Sequence, residues 1–222
     1  MTTRRGPMMN GIDRPIVEQF VNEPQRRQAV QLGIWLFLAT EIMMFGTLVF
    51  VATYYRTLHG AAISEAVTHL HYLLAATNSA LLLGSSLAIS LALVAANRGR
   101  EHVAIRCILI AAALATGFIC LKGYEYASEY QEHLLPFQSD NALTEGPARL
   151  YMGIYMVATS LHGIHVLVAI ALALTLSLRI HIGRLKLPQR VLVIEAFALY
   201  WHVVDVIWIL LFPTLYLLGR PL

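Results

Sequence analysis

Five long apolar runs, separated by short polar connections, organise the 222-residue chain. They lie at about 29–55, 70–96, 103–123, 151–178 and 191–218. A helix needs about 20 mostly apolar residues to cross the hydrocarbon core of a bilayer, and every run is that long. Inside lipid such a run satisfies its own backbone only as a helix. The ten-residue alternating segments of a membrane β-barrel are absent. The pattern predicts an all-α, polytopic bundle of five transmembrane helices, several of them long enough to tilt. It forms one domain over 29–222, preceded by a polar tail at 1–28, with no internal repeat or low-complexity block.

Composition supports lipid as the solvent. Hydrophobic residues make up 58% of the chain and charged residues 13%, against about 25% charged in an ordinary soluble domain. One soluble core of this length cannot hide so much apolar surface. A disordered chain, a disulfide scaffold and most soluble enzymes are thereby excluded. The two cysteines, Cys107 and Cys120, both fall within the apolar third run.

The formal charge of +3 needs no nucleic acid to explain it, because the basic residues are sorted by side. The tail, the second-to-third connection with Arg106 nearby, and the fourth-to-fifth connection hold twelve Lys and Arg, against four on the opposite side. The positive-inside rule then expects a cytoplasmic N-terminus and a C-terminus on the outer side of the membrane. Residues 1–28 contain no apolar stretch of the signal-peptide kind, so insertion through the first helix is expected. The longest connection, about 124–150, falls on the outer side and is acidic and tyrosine-bearing. It is expected to be a solvated loop, helical at its start, or a docking surface for a partner.

Polar residues within the spans cost about 2.5–3.5 kcal/mol each when charged, so their presence is informative. Glu41, Glu195 and Asp205 are the acidic ones, joined by His162, His165 and His202. On the fifth helix Glu195, His202 and Asp205 share a stripe at helical spacing, flanked by Trp201 and Trp208, whose rings are placed to shield the Asp205 carboxylate. A polar latch to a neighbouring helix and a proton relay are both compatible with that stripe. Asn78 and several serines lie on the second helix, where Gly84, Ala88 and Ala92 form a small-residue packing face. Gly163, between His162 and His165, is expected to let another backbone approach closely.

His162 with His202 could in principle hold a haem, but no Glu-x-x-His or His-x-x-x-His motif marks a metal site. Glu41 sits among Leu, Phe, Met and Gly with no base on its own helix, surroundings that favour the neutral acid. It reads either as a protonated acid bonded to an adjacent helix or as a reactive carboxyl on a lipid or proton route.

Several stretches, in order, resemble the cytochrome c oxidase subunit III family of haem-copper oxidases: GIWLFLATEIMMFGTLVF, TNSALLLGSS, LKGYEYASEY, MVATSLHGIHVLVAI and EAFALYWHVVDVIWILLFPTLYLL. They touch all five spans, and the HGIHV and YWHVVDVIW segments are the most specific.

The resemblance implies an accessory subunit with no catalytic centre, metal or cofactor of its own. Haem and copper belong to partner subunits. The partners implied are the catalytic subunit I, subunit II and phospholipids, with cytochrome c donating to the complex and not to this chain. The implied role is to stabilise subunit I, assist proton uptake and hold lipid during aerobic respiratory electron transport. Glu41 matches the family's carbodiimide-reactive glutamate. Asn78, His162, His165, Glu195, Trp201, His202, Asp205 and Trp208 match its polar core. The family's long form has two further N-terminal helices that wall the lipid cleft, which the polar residues 1–28 cannot supply, so the chain resembles the five-helix bacterial form, implying a bacterial inner membrane and a periplasmic C-terminus. A quinol oxidase subunit III, a nitric oxide reductase-associated homologue and a small proton-coupled transporter are the alternatives. The transporter would usually show repeats and broken helices.

Overall fold

The structure, a computed structural model, describes residues 23–217 apart from 71, 139–142, 144, 145 and 189. The described residues form helices α1 (Glu23–Leu58), α2 (Gly60–His69), α3 (Tyr72–Asn97), α4 (Glu101–Gln131), α5 (Gly146–His181) and α6 (Val191–Phe212), with a closing π turn at Pro213–Leu217. All except α2 are long and apolar enough to span a membrane, with α6 and its π turn counting as one span. The five-span expectation holds, and α1 begins at Glu23, ahead of the apolar run.

Two short connections, 98–100 and 182–190, share one end of the bundle, tied where Leu187 N–H donates to the Glu101 carboxylate (3.2 Å). Both begin with a helix C-terminus closed by a glycine in the left-handed region, Gly99 (φ 66) and Gly183 (φ 70). A side chain would be strained at either position. The opposite end carries α2 and the α4–α5 connection. The ten-residue α2 is too short to show in a hydropathy reading, and it packs on α5 through the α2 residues Ile63 and Val67.

The core is built where α3, α4, α5 and α6 meet. Buried alanines run along both α3 (Ala88, Ala92, Ala96) and α4 (Ala104, Ala111, Ala115), so the two backbones lie close along their length. The small-residue face read in the sequence is therefore a packing face. Gly163 is different: a Cβ built there meets nothing within 4 Å. The expected close backbone approach does not occur. α1 is the outlying helix, with 11% of its most apolar window buried against 33–44% in the other spans.

The acidic connection at 124–150 is helical at its start, as expected, but it is not solvated there. α4 continues to Gln131, and Glu125 and Glu129 are fully buried rather than solvated. Steps of three residues from Lys122 to Glu125 and four from Glu125 to Glu129 put all three on one helical face. Asp140 and Glu145 lie outside the described residues, as do the tail arginines Arg4, Arg5 and Arg14.

Candidate functional site: polar clusters inside the bundle

Three polar clusters lie inside an otherwise apolar bundle. The first joins α1, α5 and α6. Glu41 Oε2 lies 2.9 Å from His165 Nε2, with both side chains largely covered. The base missing from Glu41's own helix thus comes from α5. His165 Nδ1 is 2.8 Å from the Leu161 carbonyl of its own helix. A carbonyl only accepts, so Nδ1 carries the proton. Nε2 is then the ring nitrogen that faces the Glu41 carboxyl. Tyr200 on α6 donates to the His165 carbonyl (3.2 Å), and Phe45 sets its ring edge-on at 5.4 Å from the His165 centroid. An apolar cavity of about 210 Å³ opens between α1 and α6, lined by Phe45, Gly46, Val49, His202 and Val206 among others.

The second cluster fixes α6 to α3. Trp201 Nε1–H donates to Ser85 Oγ (3.1 Å) and Trp208 Nε1–H to Ser79 Oγ (3.0 Å). His202 Nδ1 lies 2.7 Å from Ser86 Oγ, and its Nε2 lies 3.4 Å from Ser90 Oγ. Asp205 is buried beside Ser86. Among the described residues His202 and Asp205 form no direct ion pair; Ser86 is the group that faces both. Glu195, on the same stripe, is half-buried and makes no hydrogen bond or ion pair among the described residues.

His162 lies at the centre of the bundle, fully buried. Its ring stacks on Trp208 (5.2 Å, 30°) and meets Phe118 edge-on (5.5 Å, 83°), while both ring nitrogens lack a hydrogen-bond partner. The Asn78 side-chain amide is also buried without a partner. Among the described residues no three His, Cys, Asp or Glu side chains gather as a metal site.

The third cluster was not singled out from the sequence. Lys122 Nζ donates to Glu125 Oε2 (2.9 Å), to Tyr155 OH (2.9 Å) and to Tyr216 OH. All three ammonium protons are therefore used. Tyr216 OH donates to Tyr155 OH (3.1 Å), and Tyr155 OH donates to Glu129 Oε1. Aromatic rings enclose the ammonium, with the Tyr155 centroid at 4.8 Å and the Trp208 centroid at 5.8 Å. The cluster joins α4, α5 and the π turn. That turn is in turn held by Tyr151, whose hydroxyl lies 3.3 Å from the Thr214 carbonyl and 3.2 Å from the Leu215 carbonyl. The available signal was the Lys122, Glu125, Glu129 spacing, which is as regular as the stripe on α6.

Clusters held in this way within five apolar spans define a polytopic membrane protein in which most intramembrane polar groups meet across helices. Comparison with known proteins makes the class specific. The family model for Cytochrome c oxidase subunit III matches residues 19–220, and the chain belongs to that family.

Its relatives carry two kinds of name. A Pylaiella littoralis cytochrome c oxidase subunit 3 is 27% identical over 216 residues, covering 93% of this chain and 74% of its own length. A Pseudomonas aeruginosa cytochrome bo(3) ubiquinol oxidase subunit 3 is 28% identical over 191 residues, covering 84% of each chain. A Nocardia farcinica relative is 26% identical over 200 residues, covering 90% of this chain and 93% of its own. The chain is thus subunit III of a haem-copper oxidase, a multi-pass protein of a bacterial membrane that works in a complex with other oxidase subunits.

Proposed function

We propose that this chain is the non-catalytic subunit that seats beside subunit I of a cytochrome c oxidase, keeps it stable during turnover and assists its proton uptake. The observation that carries this reading is the contact between Glu41 and His165. Two titratable groups from different helices meet at 2.9 Å within the membrane, an arrangement suited to holding and passing a proton. The adjoining cavity of about 210 Å³ is lined almost wholly by apolar side chains, which supports an acyl chain of a bound phospholipid there.

Haem and copper belong to subunits I and II, and cytochrome c gives its electrons to the complex rather than to this chain. The surroundings of the histidines support that division. His162 is hemmed in by Phe45, Phe118 and Trp208, and His202 turns to the serines of α3, so the two do not face a common space.

Purification in mild detergent tests the reading. Haem bands and a co-purifying subunit with a copper centre, together with cytochrome c oxidation, are expected. Quinol oxidation without a copper centre would move the chain to the quinol branch. Purification of the chain with no haem-bearing partner would overturn the reading. In the assembled enzyme, Glu41→Gln should slow proton uptake while leaving the haem spectrum unchanged. An unchanged uptake rate would remove Glu41 from the proton route.

A further inference from the structure

The cluster around Lys122 holds one cation and two carboxyls, all buried: Lys122 is 4% exposed, Glu125 0% and Glu129 1%. The ammonium has three protons, and they go to Glu125, Tyr155 and Tyr216. None goes to Glu129. Among the described residues no Lys, Arg or His forms an ion pair with Glu129. The Tyr155 hydroxyl touches both carboxyls, Glu129 Oε1 closely and Glu125 Oε1 at 3.3 Å, yet it has a single proton to give. Glu129 Oε2 is enclosed and has no partner.

These contacts balance one negative charge, and Glu125 takes it through its 2.9 Å ion pair. A carboxylate at Glu129 would be a second buried charge, with no cation of its own and Glu125 beside it. A neutral O–H left without a partner costs less than a buried charge left without one. The titratable groups that face Glu129 are Lys122, Glu125 and Glu132 on α4 and Tyr155 on α5, with Tyr216 of the π turn behind Tyr155. Glu132 is exposed.

We propose that Glu129 is a proton-binding site of this chain, neutral while the cluster is closed, and that loss of its proton releases the π turn from α4 and α5. The proton sits on Oε2, while Oε1 accepts from Tyr155. On release the Oε2–H bond breaks, the proton passes to water, and a carboxylate remains. Water is near, because α4 ends two residues on at Gln131, where Gln131 and Glu132 are exposed. The new charge competes with Tyr216 for Lys122 and draws water into the cluster, and Tyr216 is the side chain that ties the turn to Lys122 and Tyr155. Tyr151 still faces the Thr214 and Leu215 carbonyls, so the release is local. The closed cluster favours the neutral acid and water favours the carboxylate. The closed form is therefore favoured at lower pH and lost as pH rises.

Hydrogen exchange of the intact complex in mild detergent tests this. Amides of Thr214–Leu217 are followed by mass spectrometry from mildly acidic to mildly alkaline pH and corrected for the intrinsic rate. Their protection should fall with rising pH by up to about tenfold per pH unit, the limit for one proton released. Glu129→Gln, which keeps the shape and stays neutral, should match the unmodified chain at the acidic end and remain protected as pH rises. Glu132→Gln should follow the unmodified chain. In infrared spectra, the C=O band of a protonated carboxylic acid should fade over the same pH range and be missing from Glu129→Gln. Protection that does not change with pH in the unmodified chain would overturn the proposal, as would the same pH slope in Glu129→Gln. A Glu129→Gln chain that is unprotected at the acidic end, or fails to assemble, would show that the cluster needs a carboxylate there and would also overturn it. So would an infrared band that survives the substitution.

Discussion

Lys122→Met is the sharpest test of how the end of the bundle near α2 is held together. Methionine keeps the length and the apolar stem of the side chain and removes the ammonium. Three hydrogen bonds disappear together, to Glu125, Tyr155 and Tyr216. Glu125 is left as a fully buried carboxylate without its 2.9 Å partner. Breaking one side of a buried ion pair costs about 3–5 kcal/mol, mostly because the abandoned charge is stranded. At this chain length a kcal/mol corresponds to about 2–4 °C, so the apparent Tm should fall by roughly 6–20 °C.

The assay is thermal unfolding of the purified complex in mild detergent, followed by intrinsic fluorescence, since Trp208 lies against the cluster. A second variant separates charge from packing. Lys122→Met combined with Glu125→Gln removes both charges and should recover at least half of the lost Tm, because no bare carboxylate then faces the tyrosines. A fall of less than about 2 °C for the single variant would mean that the ammonium is not holding the helices. A double variant as unstable as the single would show that packing, not charge, carries the effect.

Other outcomes follow from the remaining clusters. A hydrophobic carbodiimide should modify Glu41 in the intact complex, detected by peptide mass spectrometry, and spare the fully buried Glu125 and Glu129. Labelling elsewhere with Glu41 untouched would contradict an accessible intramembrane carboxyl. Trp208→Phe removes the bond to Ser79 and part of the stack on His162, a cost of about 1–3 kcal/mol. Adding Ser79→Ala to that variant should then cost little more in a thermal scan, and fully additive losses would mean that the two groups do not act together. Asp205→Ala should weaken assembly of the complex, since it empties a buried polar position beside Ser86 and His202. Normal complex yield would show that the Ser86–His202 contact alone secures α6 to α3.

What the sequence made legible follows from the cost of polarity in lipid. Helices that must satisfy their own backbones show as unbroken apolar runs, so all five spans could be read directly. Trp201, His202, Asp205 and Trp208 could be placed on one helix because spacing within a helix is periodic. Pairing between helices has no such period. Nothing near Glu41 in the chain points to His165, more than a hundred residues away, and nothing near His202 selects Ser86 over the other serines of α3. The same reasoning explains the misread connection after the third span. Glu125 and Glu129 look like the beginning of a solvated loop because charge usually marks the edge of the membrane. They are instead buried, because each finds its counter-charge or a tyrosine hydroxyl within the bundle, and Tyr155 and Tyr216 come from elements that a local reading cannot bring together. Charges in a membrane protein are thus legible as exceptions in the sequence, while their chemistry is set by the partner that packing delivers.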